Sequence, residues 1–212
     1  MKQLKVDYIV VGSGLAGVLF SDVLRKNNKS FIVIDDESQK SSLVAGGLYN
    51  PVILKRFTPV WKAKEQLEIA LPIYKELENY LGKTIDYKLP VFRLFSSIEE
   101  QNNWFSACDK INLTEYLEPK VTTNTNVSIN GPYGLGKVLQ TGRVDTVTLI
   151  QAFQNKLCES KQLYKETFNY NAIIHKENDI SYKDIITKNI VFAEGFGRVE
   201  GYRFGLWSGC SS

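Results

Sequence analysis

The chain has 212 residues, enough to bury a sizeable core as one large domain or one domain carrying an insertion. Its composition, 43% hydrophobic and 23% charged, is that of a folded protein and argues against a disordered chain. A formal net charge of +3 with dispersed lysines marks no basic patch, so neither nucleic acid nor a membrane surface is expected as a partner.

The three cysteines, Cys108, Cys158 and Cys210, lie far apart with no C-x-x-C spacing, which suggests neither a disulfide framework nor a structural zinc. A reducing compartment suits them. The single histidine, His175, excludes a site needing two or more His ligands, and no metal centre is expected. No run approaches the ~18 apolar residues that span a bilayer. Asp7 and the glycines interrupt the one apolar stretch that could act as a signal segment. Together these features predict a cytoplasmic location.

Asp7 to Val11 reads as a buried strand that stops at Gly12. Leu15 to about Lys26 has a helical apolar face at Leu15, Val18, Leu19, Val23 and Leu24, ended by Asn27 and Asn28. Ser30 to Ile34 is a second buried strand, closed by Asp35 and Asp36. Strand, glycine turn, helix and strand make a βαβ unit.

Between them stands G-x-G-x-x-G at Gly12, Gly14 and Gly17. In such a motif the first glycine permits the tight turn and the second lets backbone N–H groups approach a pyrophosphate. The third lets the helix pack against the strand. Asp35 follows Gly17 by 18 residues, near the roughly 20 expected for the carboxylate that binds the ribose hydroxyls. Dinucleotide binding through Gly12, Ser13, Gly14, Leu15, Ala16, Gly17, Asp35 and Asp36 is the expectation. The acid at position 35 would repel a 2′-phosphate.

Beyond Glu37 the pattern is irregular to Val44, then runs through a glycine-bearing loop from Ala45 to Pro51. Pro59 is expected to open an amphipathic helix to about Leu81, kinked at Pro72. Tyr87 to Phe95 reads as a strand broken or edge-placed by Pro90. Ser97 and Glu100 have capping-box spacing ahead of a helix to about Lys110. Lys137 to Gln140 reads as a strand, and Asp145 as the N-cap of a helix to about Glu159. The last third alternates short strands: Leu163 to Phe168, Asn171 to His175, Asp179 to Tyr182 and Asn189 to Ala193.

The last of these ends in Ala193-Glu194-Gly195, with another glycine at Gly197. Such an ending lets a second backbone segment approach a cofactor beside the first glycine turn, which favours FAD over NAD. At this point the chain resembles the FAD-dependent oxidoreductases of the D-amino-acid oxidase and glycine oxidase (DAO) group. The motifs run in order. They are the fingerprint from Gly12 to Asp35, the loop Ser42 to Pro51 resembling an S-x-x-A-x-G segment, Gly142 to Asp145 resembling G-x-V-D, and the late A-x-G strand.

The resemblance implies an α/β fold: an FAD-binding Rossmann-like layer with an inserted, incomplete α+β substrate domain. The divisions expected are 1–50 as the first part of the FAD-binding domain, 51–145 as the insertion, 146–200 as the return, and 201–212 as an irregular tail. It adds Ser42, Ala45, Gly46, Gly47, Ala193 and Gly195 to the cofactor-binding candidates. It also implies hydride transfer from the C–N bond of an amino acid or amine to flavin, which demands no general base. A carboxylate-bearing substrate calls for a bidentate arginine. Arg56, Arg93 and Arg143 are available, none stands out, and no catalytic residue is assigned.

Members of the group continue beyond the A-x-G strand. The chain is therefore expected to be a truncated, N-terminal portion, inactive by itself if the missing part carries the substrate contacts. Two alternatives stay open: an NAD-dependent dehydrogenase, and a non-enzymatic nucleotide-binding remnant.

Overall fold

The computed structural model describes residues 3–195 and 206–208. Gly197, residues 201–205 and residues 209–212, all named above, lie outside the described residues. In chain order the elements begin with β1 (Leu4–Val11), α1 (Leu15–Lys26), β2 (Phe31–Ile34) and α2 (Ser41–Val44). Next come β3 (Leu48–Tyr49), β4 (Val52–Ile53), β5 (Thr58–Pro59), α3 (Ala63–Leu81), β6 (Asp86–Lys88), β7 (Val91–Leu94) and α4 (Ile98–Cys108). They are followed by β8 (Leu117–Thr122), β9 (Leu135–Val138), β10 (Gly142–Val144) and α5 (Thr146–Glu159). The chain closes with β11 (Leu163–Tyr164), a 3-10 turn (Tyr170–Ala172), β12 (Ile173–His175), β13 (Ile180–Tyr182), β14 (Ile185–Phe192) and β15 (Leu206–Ser208).

Two compact units result. One is built from the described residues up to Ala45 and from Thr146 onward, the other from Gly46–Asp145. The first unit is α/β. Its seven-stranded sheet runs β11-β2-β1-β14-β13-β12, with β15 also paired to β14. β11, β2, β1 and β14 are parallel, while β12, β13 and β15 are antiparallel to their neighbours.

The central strands are the apolar runs of the sequence, as burial on both faces of a parallel sheet requires. Ile9, Val10, Val33 and Ile34 are all fully buried. α1 packs on β1 and β2, and α5 packs on α1 and β11. α1 stops where Asn28 adopts a left-handed φ of 53°, with Lys29 N–H donating to Leu24 C=O. Elsewhere in the unit an aromatic group forms: Phe168 stacks on Tyr182 at 4.5 Å and meets Tyr170 and Phe192 edge-on.

The second unit holds two three-stranded sheets, β3-β10-β6 and β7-β9-β8, and the β4-β5 ribbon. Its core centres on Trp104, fully buried against Phe57 and Phe95. Gly136 on β9 leaves room for that indole, since a Cβ there would lie 2.6 Å from it.

Several local expectations need correction. The helix does not start at Pro59. Pro59 pairs with Val52 in the β4-β5 ribbon, where a missing N–H is tolerated, and α3 begins only at Ala63, behind Lys62 in a left-handed conformation. At its other end α3 agrees with the expectation: it runs to Leu81 with Pro72 inside it, and Gly82 closes it with φ +63°. The capping box forms by half. Ser97 Oγ accepts from Glu100 N–H, but the Glu100 carboxylate turns to Ser96 and Arg93. Strand 163–168 is two residues long, because only Leu163 and Tyr164 reach β2. Among the described residues Cys108 and Cys158 are free thiols, and no helix is long and apolar enough to cross a membrane.

Candidate functional site

Because β1, β2, β11 and β14 run in parallel, their carboxyl ends share one edge of the sheet. The loops leaving that edge surround a cavity of about 200 Å³. Gly12 and Gly14 come from the turn after β1, and Asp35, Asp36 and Ser38 from the loop after β2. Ser41 and Ser42 come from α2, Thr167, Phe168 and Tyr170 from the segment after β11, and Ala193, Glu194 and Gly195 from the end of β14. The chain crosses from β1 to β2 on one side, while β14 lies on the other. The cavity therefore sits at the strand-order reversal where open α/β sheets bind ligands.

The glycines shape this edge. Gly12 has φ +97°, and a Cβ on it would lie 2.6 Å from the carbonyl oxygen of Ala193. A side chain there would push β14 away from the turn. Gly17 faces the Gly12 carbonyl so closely that any Cβ would collide with it, which fixes α1 against β1. Gly14 is the N-cap of α1 in an extended conformation without a side-chain cap. Leu15 N–H donates to Ser42 Oγ at 3.2 Å. The first turn of α1 carries no acidic residue of its own.

Asp35 is held by backbone and side chain together. Its Oδ2 accepts from Ser13 N–H and Ser13 Oγ–H, and its Oδ1 accepts from Glu37 N–H at 2.6 Å. Ser13 is buried and receives a 2.6 Å hydrogen bond from Gln154 Nε2 on α5. Asp36 accepts from Ser38 N–H and from Thr167 Oγ1, and its carboxyl is held below the usual range chiefly by the Ser38 hydrogen bond. Glu194 behaves in the opposite way. Burial pushes its carboxyl up, Asp35 and Asp36 add to the rise, and the hydrogen bond from Tyr170 opposes it.

Asp35, Asp36, Glu166 and Glu194 line the cavity, and no lysine or arginine does so among the described residues. An anionic group there would rely on backbone N–H donors and the α1 N-terminus.

Of the candidates from the sequence, Gly12, Gly14, Asp35, Asp36, Ser42, Ala193 and Gly195 line this cavity. Ser13 stands behind it, bonded to Asp35, and Gly17 serves the helix–strand contact. Leu15 contributes its N–H to Ser42, and Ala16 is exposed. Ala45 accepts a 3.5 Å hydrogen bond from Thr146. Gly46 and Gly47 do not line the cavity. Gly47 exchanges backbone contact with Val144, and Gly46 accepts from Arg143 Nε at 3.2 Å. Arg93 is likewise occupied, in an ion pair with Glu100.

The sequence reading missed Gln154, Thr167, Phe168 and Tyr170. Gln154 lies among ordinary helical polar residues, and the others follow a strand too short to show a period. The sheet order alone brings them to the site.

No family model matches the chain. Solved structures do resemble it. Glycine oxidase from Bacillus cereus matches with a TM-score of 0.60 and 21% identity over 90% of this chain and 55% of that one. L-Proline dehydrogenase from P. horikoshii matches with a TM-score of 0.62 and 16% identity over 90% and 53%. Glycine oxidase from Geobacillus kaustophilus gives 0.62 and 16% over 91% and 56%. The chain spans about half the length of these structures. Its parallel sheet, glycine turn and crossing β14 give it the fold of the DAO group of FAD-dependent oxidoreductases, as its motifs resembled.

Proposed function

We propose that the unit formed by the residues up to Ala45 and from Thr146 onward holds FAD. On this reading the protein is an FAD-dependent oxidoreductase acting on the C–N bond of an amino acid or amine, with Gly46–Asp145 contributing the substrate-domain part. The observation that carries it is the convergence of the Gly12–Gly17 turn, the Asp35 carboxylate and the Ala193–Gly195 crossing on one cavity.

The residues present fit the cofactor. The space that a Cβ on Gly12 would fill is closed by Ala193 backbone, so the two segments meet with no side chain between them. Asp35 would accept from a ribose hydroxyl. The N-terminal N–H groups of α1 would receive the pyrophosphate, and the short polar Ser38, Ser41 and Ser42 would donate to it. When bound, the cofactor supplies the redox chemistry, acceptance of a hydride from a substrate C–N bond. The chain's own residues bind it, orient it and exclude competing reactions. The resemblance to amino-acid oxidases and a proline dehydrogenase supports this substrate class.

Reconstitution of the purified 212-residue chain with FAD should give a yellow protein with a flavin spectrum, and anaerobic titration with amino acids and amines should then bleach it. A preparation that retains no FAD, while binding NADH saturably, would sink the reading in favour of a nicotinamide enzyme.

A further inference from the structure

The Ser13 hydroxyl lies between two partners, Gln154 Nε2 at 2.6 Å and Asp35 Oδ2. A carboxylate only accepts hydrogen bonds, so the single Ser13 proton goes to Asp35. Gln154 must then present its N–H and not its carbonyl, because Ser13 has no second proton to give. The direction of every bond in the chain Gln154 to Ser13 to Asp35 is thereby fixed.

The same oxygen of Asp35 also takes Ser13 N–H, and the other takes Glu37 N–H. Three of the roughly four acceptor positions of a carboxylate are filled by the protein. One is left on Oδ1, and Asp35 lines the cavity.

We propose that Gln154 is a positioning residue for ribose recognition: through Ser13 it holds the Asp35 carboxylate with one acceptor position presented to a ribose hydroxyl. This rests on the reading that the cavity takes the adenosine diphosphate half of a dinucleotide. Gln154 itself touches no ligand. It acts from α5, 141 residues along the chain from Ser13, and links the return segment of the unit to the first glycine turn.

The test compares ADP with 2′,3′-dideoxy-ADP by calorimetric titration of the full 212-residue chain, with FAD titrated alongside. The variants are Gln154→Ala and the neutral, near-isosteric Gln154→Met, which removes the donor without adding charge beside the anionic ligands. Wild type should prefer ADP over the dideoxy form by about tenfold, the scale of one hydrogen bond to a charged group. Both variants should shrink that preference to about threefold or less while leaving affinity for the dideoxy form unchanged. A purely structural role would weaken both ligands equally, and that result would overturn the proposal. Should Gln154→Ala fail to fold, the near-isosteric variant decides alone. Wild type that binds FAD without distinguishing the two nucleotides would also overturn it and leave the FAD reading standing. A chain that binds neither FAD nor ADP would overturn both.

Discussion

Gly12→Ala tests the backbone crossing on which the site depends. Two costs add at this position. A Cβ at φ +97° is forced into a region that L-residues avoid, at about 1–2 kcal/mol. The same Cβ would sit 2.6 Å from Ala193 O and 2.8 Å from Ala193 C, backbone atoms in a segment hydrogen-bonded to Val11, so β14 must shift. Overpacking of that kind costs about 1–3 kcal/mol. The sum, roughly 2–5 kcal/mol, is a large share of the about 5–15 kcal/mol that holds a typical domain together. Gly46→Ala is the matched control, since a Cβ there meets nothing within 4 Å. It should leave stability unchanged or raise it by up to about 1 kcal/mol through the unfolded chain. Urea denaturation of both variants, read as midpoint shifts at constant slope, makes the comparison. A Gly12→Ala protein within about 0.5 kcal/mol of wild type, or a Gly46→Ala protein equally weakened, would refute the reasoning.

Trp104→Ala should cost about 3–5 kcal/mol, because the indole is fully buried against Phe57 and Phe95 and its Nε1 donates to Glu118 C=O at 3.0 Å. Calorimetry showing a loss below about 1 kcal/mol would mean that the second unit has another core. Ser97→Ala removes the side-chain cap of α4 and should lower stability by about 1 kcal/mol in denaturant titration, and an unchanged midpoint would contradict the capping role. Glu194→Gln should change the pH dependence of stability. The Glu194 carboxyl is raised above its ordinary 4.5, so between that value and the folded one the native state holds a proton that the unfolded chain releases. Wild-type stability therefore falls as pH rises through this window. The neutral amide lacks that decline, and the stability of the variant relative to wild type should grow from pH 4 to pH 7. A difference that stays flat with pH would contradict the sign.

The first βαβ unit was legible because its signals are local. Val and Ile at Val10, Val11, Val33 and Ile34, a glycine turn, and Asn27–Asn28 at the helix end all act within a few residues of where they stand. Pro59 misled for the opposite reason. A proline suits both the first turn of a helix and the edge of a ribbon, and only the pairing with Val52 decides between them. The start of α5 just after Asp145, the break at Pro90 between β6 and β7, and the start of α4 after Ser97 were readable, since such signals act on the nearest backbone.

What the sequence by itself determined is the first βαβ unit and its turn: the glycines, the strand that feeds them and the acid at the end of the next strand, all within 35 residues. Tertiary structure decided the rest of the site. The placement of β14 beside β1 brings Ala193 to Gly12, and the placement of β11 beside β2 brings Thr167, Phe168 and Tyr170 to the cavity rim. The same packing sets Gln154 on Ser13. These contacts join residues more than a hundred positions apart, and no local spacing encodes them. Strand order, fixed by burying apolar faces on both sides of a parallel sheet, does.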